Sequence, residues 1–263
     1  MKKYLFIFKS EVMTNLQYIF NLVSHFFAFF VMVFIFMNLW NYMYDDPSEL
    51  INGYTKNQMI WYVIITEMMW FIVGGRKACQ KIAGEVKAGS IAYSMNKPYN
   101  YVLYHLISHM GTMFIKGIAY ALLAIGVGFL FMGEIPQMSF LSVLAFILVV
   151  ILAIIINTLF VIFIGLFSFI IEDSGPMYWL YSKFLLVFGT LFPIEFFPGV
   201  LQKILRYSPI YALNYGPGRL FVNFSWSDFV PILIAQIVYV AIAYILCELV
   251  YRKGVRRLNV NGG

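Results

Sequence analysis

The chain has 263 residues, 62% of them hydrophobic and 19% aromatic, with 11% charged and a mean hydropathy of +0.82. Soluble domains sit nearer a quarter charged and under half apolar, so this composition excludes a soluble globular protein and defines an integral membrane protein. The net charge of +6 then reads as Lys and Arg held on the cytoplasmic face, with no nucleic-acid partner implied.

The opening MKKYLFIFKSEV begins like a signal peptide. Its apolar run from Tyr4 to Phe8 is only five residues long, however, and no small-residue cleavage site follows, so it reads as mature sequence. Over 1–17, Leu5, Phe8, Val12 and Leu16 alternate with Lys2, Lys3, Lys9, Glu11 and Gln17. That spacing suits an amphipathic helix at the cytosolic interface; the plainer alternative is a frayed basic tail.

About 20 apolar residues cross the hydrocarbon core as a helix, and six stretches qualify. The first, about 18–44, has no formal charge, and the second, about 57–75, is broken only by Glu67. The third, about 101–132, contains Lys116. The fourth lies in 137–171, which as one helix would be roughly 52 Å long and must tilt, kink or project. The fifth is about 176–196, with Lys183 near its start and Glu195 at its end, and the sixth is about 229–250, with Glu248 in its last turn. The expected architecture is therefore an all-α membrane protein of six transmembrane helices in a single domain, residues 1–263.

Six spans put both termini on one side. That side carries twelve Lys and Arg, among them Arg76, Lys77, Lys81, Lys87 and Lys97, against Lys56, Lys203, Arg206 and Arg219 on the other. The imbalance places both termini in the cytosol. The acidic cluster Asp45, Asp46 and Glu49 then faces outward, as does the segment 197–228.

Several chemistries have no motif here. The dipeptide Gly-Lys never occurs, so no P-loop can cradle a nucleotide, and neither HExxH nor GxSxG is present. Cys79 and Cys247 fall at cytosolic span ends, where thiols stay reduced. His105 and His109 share a helix face at i, i+4 but have no evident third ligand, so they read as packing or interfacial histidines and no metal is expected.

A charge at the bilayer centre costs about 2.5–3.5 kcal/mol on insertion scales. Glu67 is thus either part of a translocation path or subunit contact, or a carboxyl satisfied structurally by a neighbouring helix. Lys116, midway along the third stretch, invites pairing with Glu67, or snorkels to an interface.

Two segments carry most information. GGRKACQKIAGEVKAGSIAYSMNKP, Gly74 to Pro98, has an apolar stripe of Ile82, Val86, Ile91 and Tyr93 among lysines. It suits a short amphipathic helix ended at Gly89 or a little later, the alternative being a basic loop on anionic lipid. TLFPIEFFPGVLQKILRYSPIYALNYGPGRLF, Thr190 to Phe221, is too apolar for an open loop. Within it GVLQKILRY reads as one short helix, with Val200, Leu201, Ile204 and Leu205 opposite Lys203 and Arg206. Such a hairpin dips into the outer leaflet if protein covers its backbone; otherwise it is an extracellular loop hugging the membrane.

Together, the six spans, the basic loop GEVKAGSIAYSMNKP and the segment FPIEFFPGVLQKILRYSPIYALNYGP resemble the permease subunits of type-2 ABC exporters. The resemblance implies a coupling helix within 76–97 that seats on a separate ATPase through Glu85, Lys87, Gly89 and Ser90, bordered by the 1–17 interfacial helix. It implies a pathway between two permeases, identical or paralogous, lined by the second and fifth spans. The re-entrant segment 193–217, with Pro193, Phe197, Pro198, Pro209 and Pro217, would form the outer gate. The chain itself would hold no cofactor and would be no enzyme; two ATPase copies would use ATP and Mg. Scarce charge in the spans suggests a hydrophobic or amphipathic cargo (drug, peptide or lipid-linked molecule), and the resemblance implies its export across the cell membrane. The alternatives are a membrane-embedded lipid-modifying enzyme or a regulatory or immunity membrane subunit.

Overall fold

The computed structural model describes residues 2–17, 23–46, 49–95, 97–171 and 173–261. The expected start of the first span, 18–22, lies outside them, as does Asn96 of the expected coupling loop. The described residues are all-helical: α1 Lys2–Gln17, α2 Val23–Met43, α3 Lys56–Ile72, α4 Arg76–Lys87, α5 Ile91–Met95 and α6 Tyr101–Met132 are followed by α7 Phe140–Leu166, α8 Gly175–Leu185, α9 Gly199–Arg206, α10 Gly216–Val222 and α11 Trp226–Asn261.

Local signals set these boundaries. Thr55 and Gln58 close a reciprocal capping box at the start of α3. Asn100 and Ser139 accept backbone N–H bonds at the starts of α6 and α7. Gly133 ends α6 in the left-handed conformation, and Gly89 does the same just beyond α4.

Five helical segments among the described residues are long and apolar enough to cross a membrane: His25–Met43, Lys56–Lys87, Tyr101–Met132, Phe140–Phe169 and Trp226–Arg256. The expected fifth stretch, 176–196, is divided. Helix α8 ends at Leu185, a π-helical turn spans Leu186–Thr190, and after Pro193 a 3-10 turn covers Ile194–Phe196. Eleven residues of α-helix rise about 16 Å, half the hydrocarbon thickness.

Helix α3 is the centre of the bundle. Twelve of its 17 residues are buried, Glu67 among them, and it packs against α2, α6 and α10. Gly128 on α6 lets the ring of Trp61 approach so closely that a Cβ there would lie 2.1 Å from it. Small residues allow such contacts where lipid supplies no hydrophobic drive between helices. Helix α11 lies along α7, and α4 crosses the end of α7. Around this core the outer faces of α2, α6 and α11 expose Phe27, Leu122, Phe129, Ile234 and Ile245, the apolar girdle of a membrane protein.

Helix α1 lies on α6 by only part of the expected stripe, with polar side chains beside it. Phe8 meets Phe114 edge-on, Glu11 accepts from Ser108 Oγ at 2.7 Å, and Asn15 donates to Thr112 at 3.1 Å. Leu5 and Leu16 stay exposed, with Phe6 and Met13. Four apolar side chains are thus free for lipid while the polar ones find partners on α6.

Candidate functional site

Three clusters of polar contacts lie at the two ends of α3 and at one point between them.

At one end, α3 gives way to α4 across Val73–Gly75. A break between helices strands backbone groups, which inside a membrane must be satisfied by other partners. Asn157, 2% exposed in the middle of α7, donates to the Val73 carbonyl at 3.0 Å and accepts from Tyr181 Oη at 2.8 Å. The Gly75 N–H donates to Tyr178 Oη at 3.0 Å. Side chains of α7 and α8 therefore clamp the joint. Val161 of α7 fills the space over Gly75, where a Cβ would lie 2.4 Å from it.

Helix α4 buries Cys79, Ile82, Ala83 and Val86 and leaves Arg76, Lys77, Gln80, Lys81 and Lys87 exposed. Its apolar face belongs to a cluster with Ile91, Tyr101, Leu159, Leu166 and Cys247. Of the residues assigned by resemblance to ATPase contact, Glu85 turns inward. Its carboxylate accepts from Tyr101 Oη at 2.7 Å and lies 3.5 Å from His105 Nε2. Lys87 is exposed, 3.8 Å from Asp173. Gly89 supplies the left-handed turn at φ 66°, and the Ser90 hydroxyl bonds the Glu85 carbonyl at 3.4 Å. The same end is laced to α1 and α11. The Asn100 N–H donates to Tyr4 Oη at 3.1 Å, its side chain donates to Glu248 at 2.5 Å, and Lys3 reaches the Pro98 carbonyl.

Midway along α3, the Thr66 hydroxyl donates to the Thr190 carbonyl at 2.8 Å, and Asn214 donates to Thr190 Oγ1 at 3.0 Å. Thr190 and Asn214 sit in two π-helical turns, Leu186–Thr190 and Tyr211–Tyr215, packed on each other. Such turns widen a helix locally and are common at functional sites. Gln236 of α11 holds the second turn by donating to Val149 and Ala212 carbonyls at 2.9 Å. Glu67 follows Thr66, is 0% exposed, and among the described residues neither carboxylate oxygen has a hydrogen-bond partner. The ion pair suggested with Lys116 does not form among the described residues. Lys116, half-buried on α6, lies apart from it.

At the other end, Glu195 is the hub. It accepts from Tyr54 Oη at 3.1 Å and Tyr215 Oη at 2.6 Å, with Arg206 at 3.8 Å. Burial, then the charge of Glu195, pushes the Tyr54 phenol far above its ordinary pKa, so it remains a donor. Tyr54 is fixed in turn by Tyr44, whose hydroxyl donates to its carbonyl at 2.7 Å, and by Arg219 stacked 5.4 Å over its ring. Of the expected outer-gate residues, Pro193 precedes the 3-10 turn, Pro198 precedes α9, and Pro217 stands in the first turn of α10. Pro209 opens the helical run that enters the second π turn. Phe197 joins Phe188 and Phe192 in an aromatic cluster that reaches Trp40 of α2. Helix α9 forms where expected, but only Leu201 and Leu205 of its apolar side turn inward; Val200 and Ile204 are exposed.

The hub escaped the sequence because its tyrosines stand 141 and 20 residues from Glu195. Asn157, the one amide within the uncharged apolar run 138–171, was the signal available for the inner clamp.

The described residues thus form an all-helical, multi-pass membrane protein with polar contacts gathered along one buried helix. Residues 27–262 match the family model of the ABC-2 family transporter proteins, and the chain belongs to that family. Its members are membrane subunits that usually work with an ATPase subunit. No curated protein matches the chain.

Proposed function

We propose that the chain is the permease of an ATP-driven exporter in the cell membrane, driven through α4 by a separate ATPase. Both termini lie in the cytosol, α1 rests at the cytosolic interface, and 193–217 re-enters the outer leaflet as the gate. The sixth crossing is made by α8 with its π turn and the aromatic turn that follows. A second permease, identical or paralogous, completes the pathway, with two ATPase copies below; ATP and Mg belong to those partners. The cargo is hydrophobic or amphipathic.

The observation that carries this reading is the joint at Val73–Gly75. A basic helix presents its cations outward, is clamped to α7 and α8, and runs directly into the most buried helix of the bundle. Displacement of α4 is therefore delivered to α3, to the paired π turns at Thr66, and to Glu195 through Tyr54. Within α4, Lys81 and Lys87 make the ATPase contact, Gly89 and Ser90 shape its end, and Glu85 braces it from inside.

Reversing Lys81 and Lys87 to glutamate leaves membrane insertion intact and lowers ATPase-coupled transport at least tenfold. Unchanged transport with unchanged co-purification of the ATPase refutes the assignment.

A further inference from the structure

Between the outward face of α4 and the first two turns of α8 lies an open cleft of 810 Å³. Three cations border it, Arg76, Lys87 and Lys183, against one described carboxylate, Asp173. Lys87 faces Asp173 at 3.8 Å, whereas among the described residues Arg76 and Lys183 have no carboxylate within ion-pair distance. Asp173 is itself engaged at the start of α8, where its carboxylate accepts the Gly175 N–H at 3.0 Å, so it offers Arg76 and Lys183 no compensating charge.

The position of Lys183 tells where the cleft meets the bilayer. It stands eight residues into α8, about 12 Å along the axis. Yet its Nζ sits 5.9 Å from the centre of the Trp179 ring, one turn back toward the helix start. That is the posture of a lysine snorkelling to an interface. Trp70 and Trp179 line the cleft, and Trp179 is 61% exposed. Immediately along α8, Leu180 and Phe184 are exposed as well.

Uncompensated cations at the polar edge of an aromatic and apolar surface complement an anionic amphiphile: charge is held at one end, acyl chain at the other. We propose that this cleft binds the phosphate-bearing headgroup of an anionic phospholipid from the inner leaflet, through Arg76 and Lys183. The acyl chains run along Trp179, Leu180 and Phe184. The bound lipid bridges α4 and α8, so the joint that moves in coupling is seated on membrane charge. This inference rests on α4 facing the cytosol.

The test is titration of the purified chain in detergent with phosphatidylglycerol, phosphatidylcholine and glycerol phosphate, read by native mass spectrometry. Phosphatidylglycerol should bind, and each cation removed should weaken it about fivefold, so the pair Arg76→Gln and Lys183→Gln should lose roughly 25-fold. Phosphatidylcholine should bind more weakly and indifferently to the substitutions, which also reports that the variant is folded. Trp179→Ala should weaken phosphatidylglycerol binding while leaving both cations in place. Equal binding of the two lipids, an unchanged phosphatidylglycerol affinity in the double variant, or glycerol phosphate competing as well as the lipid each overturns the proposal. Binding requires neither the ATPase nor transport. Lost lipid binding therefore leaves the coupling assignment standing, and a transporter uncoupled at Lys81 and Lys87 that still binds lipid leaves this site standing.

Discussion

The Tyr101 hydroxyl donates a 2.7 Å hydrogen bond to the Glu85 carboxylate, fastening α4 to the first turn of α6 on the side opposite its exposed cations. Tyr101 is itself held, stacked on Tyr251 of α11 with ring centres 5.0 Å apart. Helix α4 is thus braced against two long helices by one phenol.

Tyr101→Phe should loosen that brace without a cavity. Losing a hydrogen bond to a charged group costs about 1.5–3 kcal/mol. The expected outcome is a lower thermal midpoint of the purified chain and a larger loss of transport than of ATP hydrolysis, because force reaches a less rigid helix. Glu85→Gln, which keeps an acceptor for the phenol, should lose less of both.

At the outer end, Glu195→Ala leaves two phenols, Tyr54 and Tyr215, without their acceptor. Each buried donor left unpaired costs about 1–3 kcal/mol. A double-mutant cycle with Tyr215→Phe should show coupling of at least about 1 kcal/mol in thermal unfolding, since both changes remove one bond. Strict additivity would separate Tyr215 from the hub.

The contact of Gly75 with Val161 makes a steric prediction. Gly75→Leu forces a side chain into space that Val161 occupies, and overpacking of this kind costs about 1–3 kcal/mol. Val161→Ala should restore part of the stability lost and part of the transport. No recovery would mean that the joint fails for another reason.

Glu67 separates function from stability. An isolated carboxyl at bilayer depth costs about 2.5–3.5 kcal/mol when ionised, and this one has no hydrogen-bond partner among the described residues. Glu67→Leu should therefore keep or raise the thermal midpoint while transport falls. The charge swap Glu67→Lys with Lys116→Glu should recover nothing, because the two residues are not paired; recovery would contradict their separation.

Much of this frame was legible in the chain, for reasons specific to each element. The third expected stretch, 101–132, is one helix because its ends carry strong local signals, Asn100 before and a left-handed Gly133 after. Helix α4 likewise ends where Gly89 permits. The stretch 176–196 read as a continuous span because hydropathy registers apolar length and is blind to the π turn, whose extra residue is held by Thr66 and Asn214 from elsewhere in the chain. Glu67 and Lys116 suggested a pair on charge alone, yet α3 and α6 turn them to different neighbours. The inward turn of Glu85 depends on Tyr101, sixteen residues ahead, beyond any helical period. For α1, the periodic stripe is split: Leu5 and Leu16 stay exposed, while Phe8 docks on α6 together with the polar Glu11 and Asn15.

The most direct test of the account is disulfide or maleimide cross-linking from Lys87→Cys in the intact complex, with the native Cys79 and Cys247 buried and silent. The account predicts a cross-link to the ATPase whose yield changes with nucleotide, and no labelling of position 87 by an impermeant reagent added outside the cell. Labelling from outside, with no ATPase adduct, would contradict it.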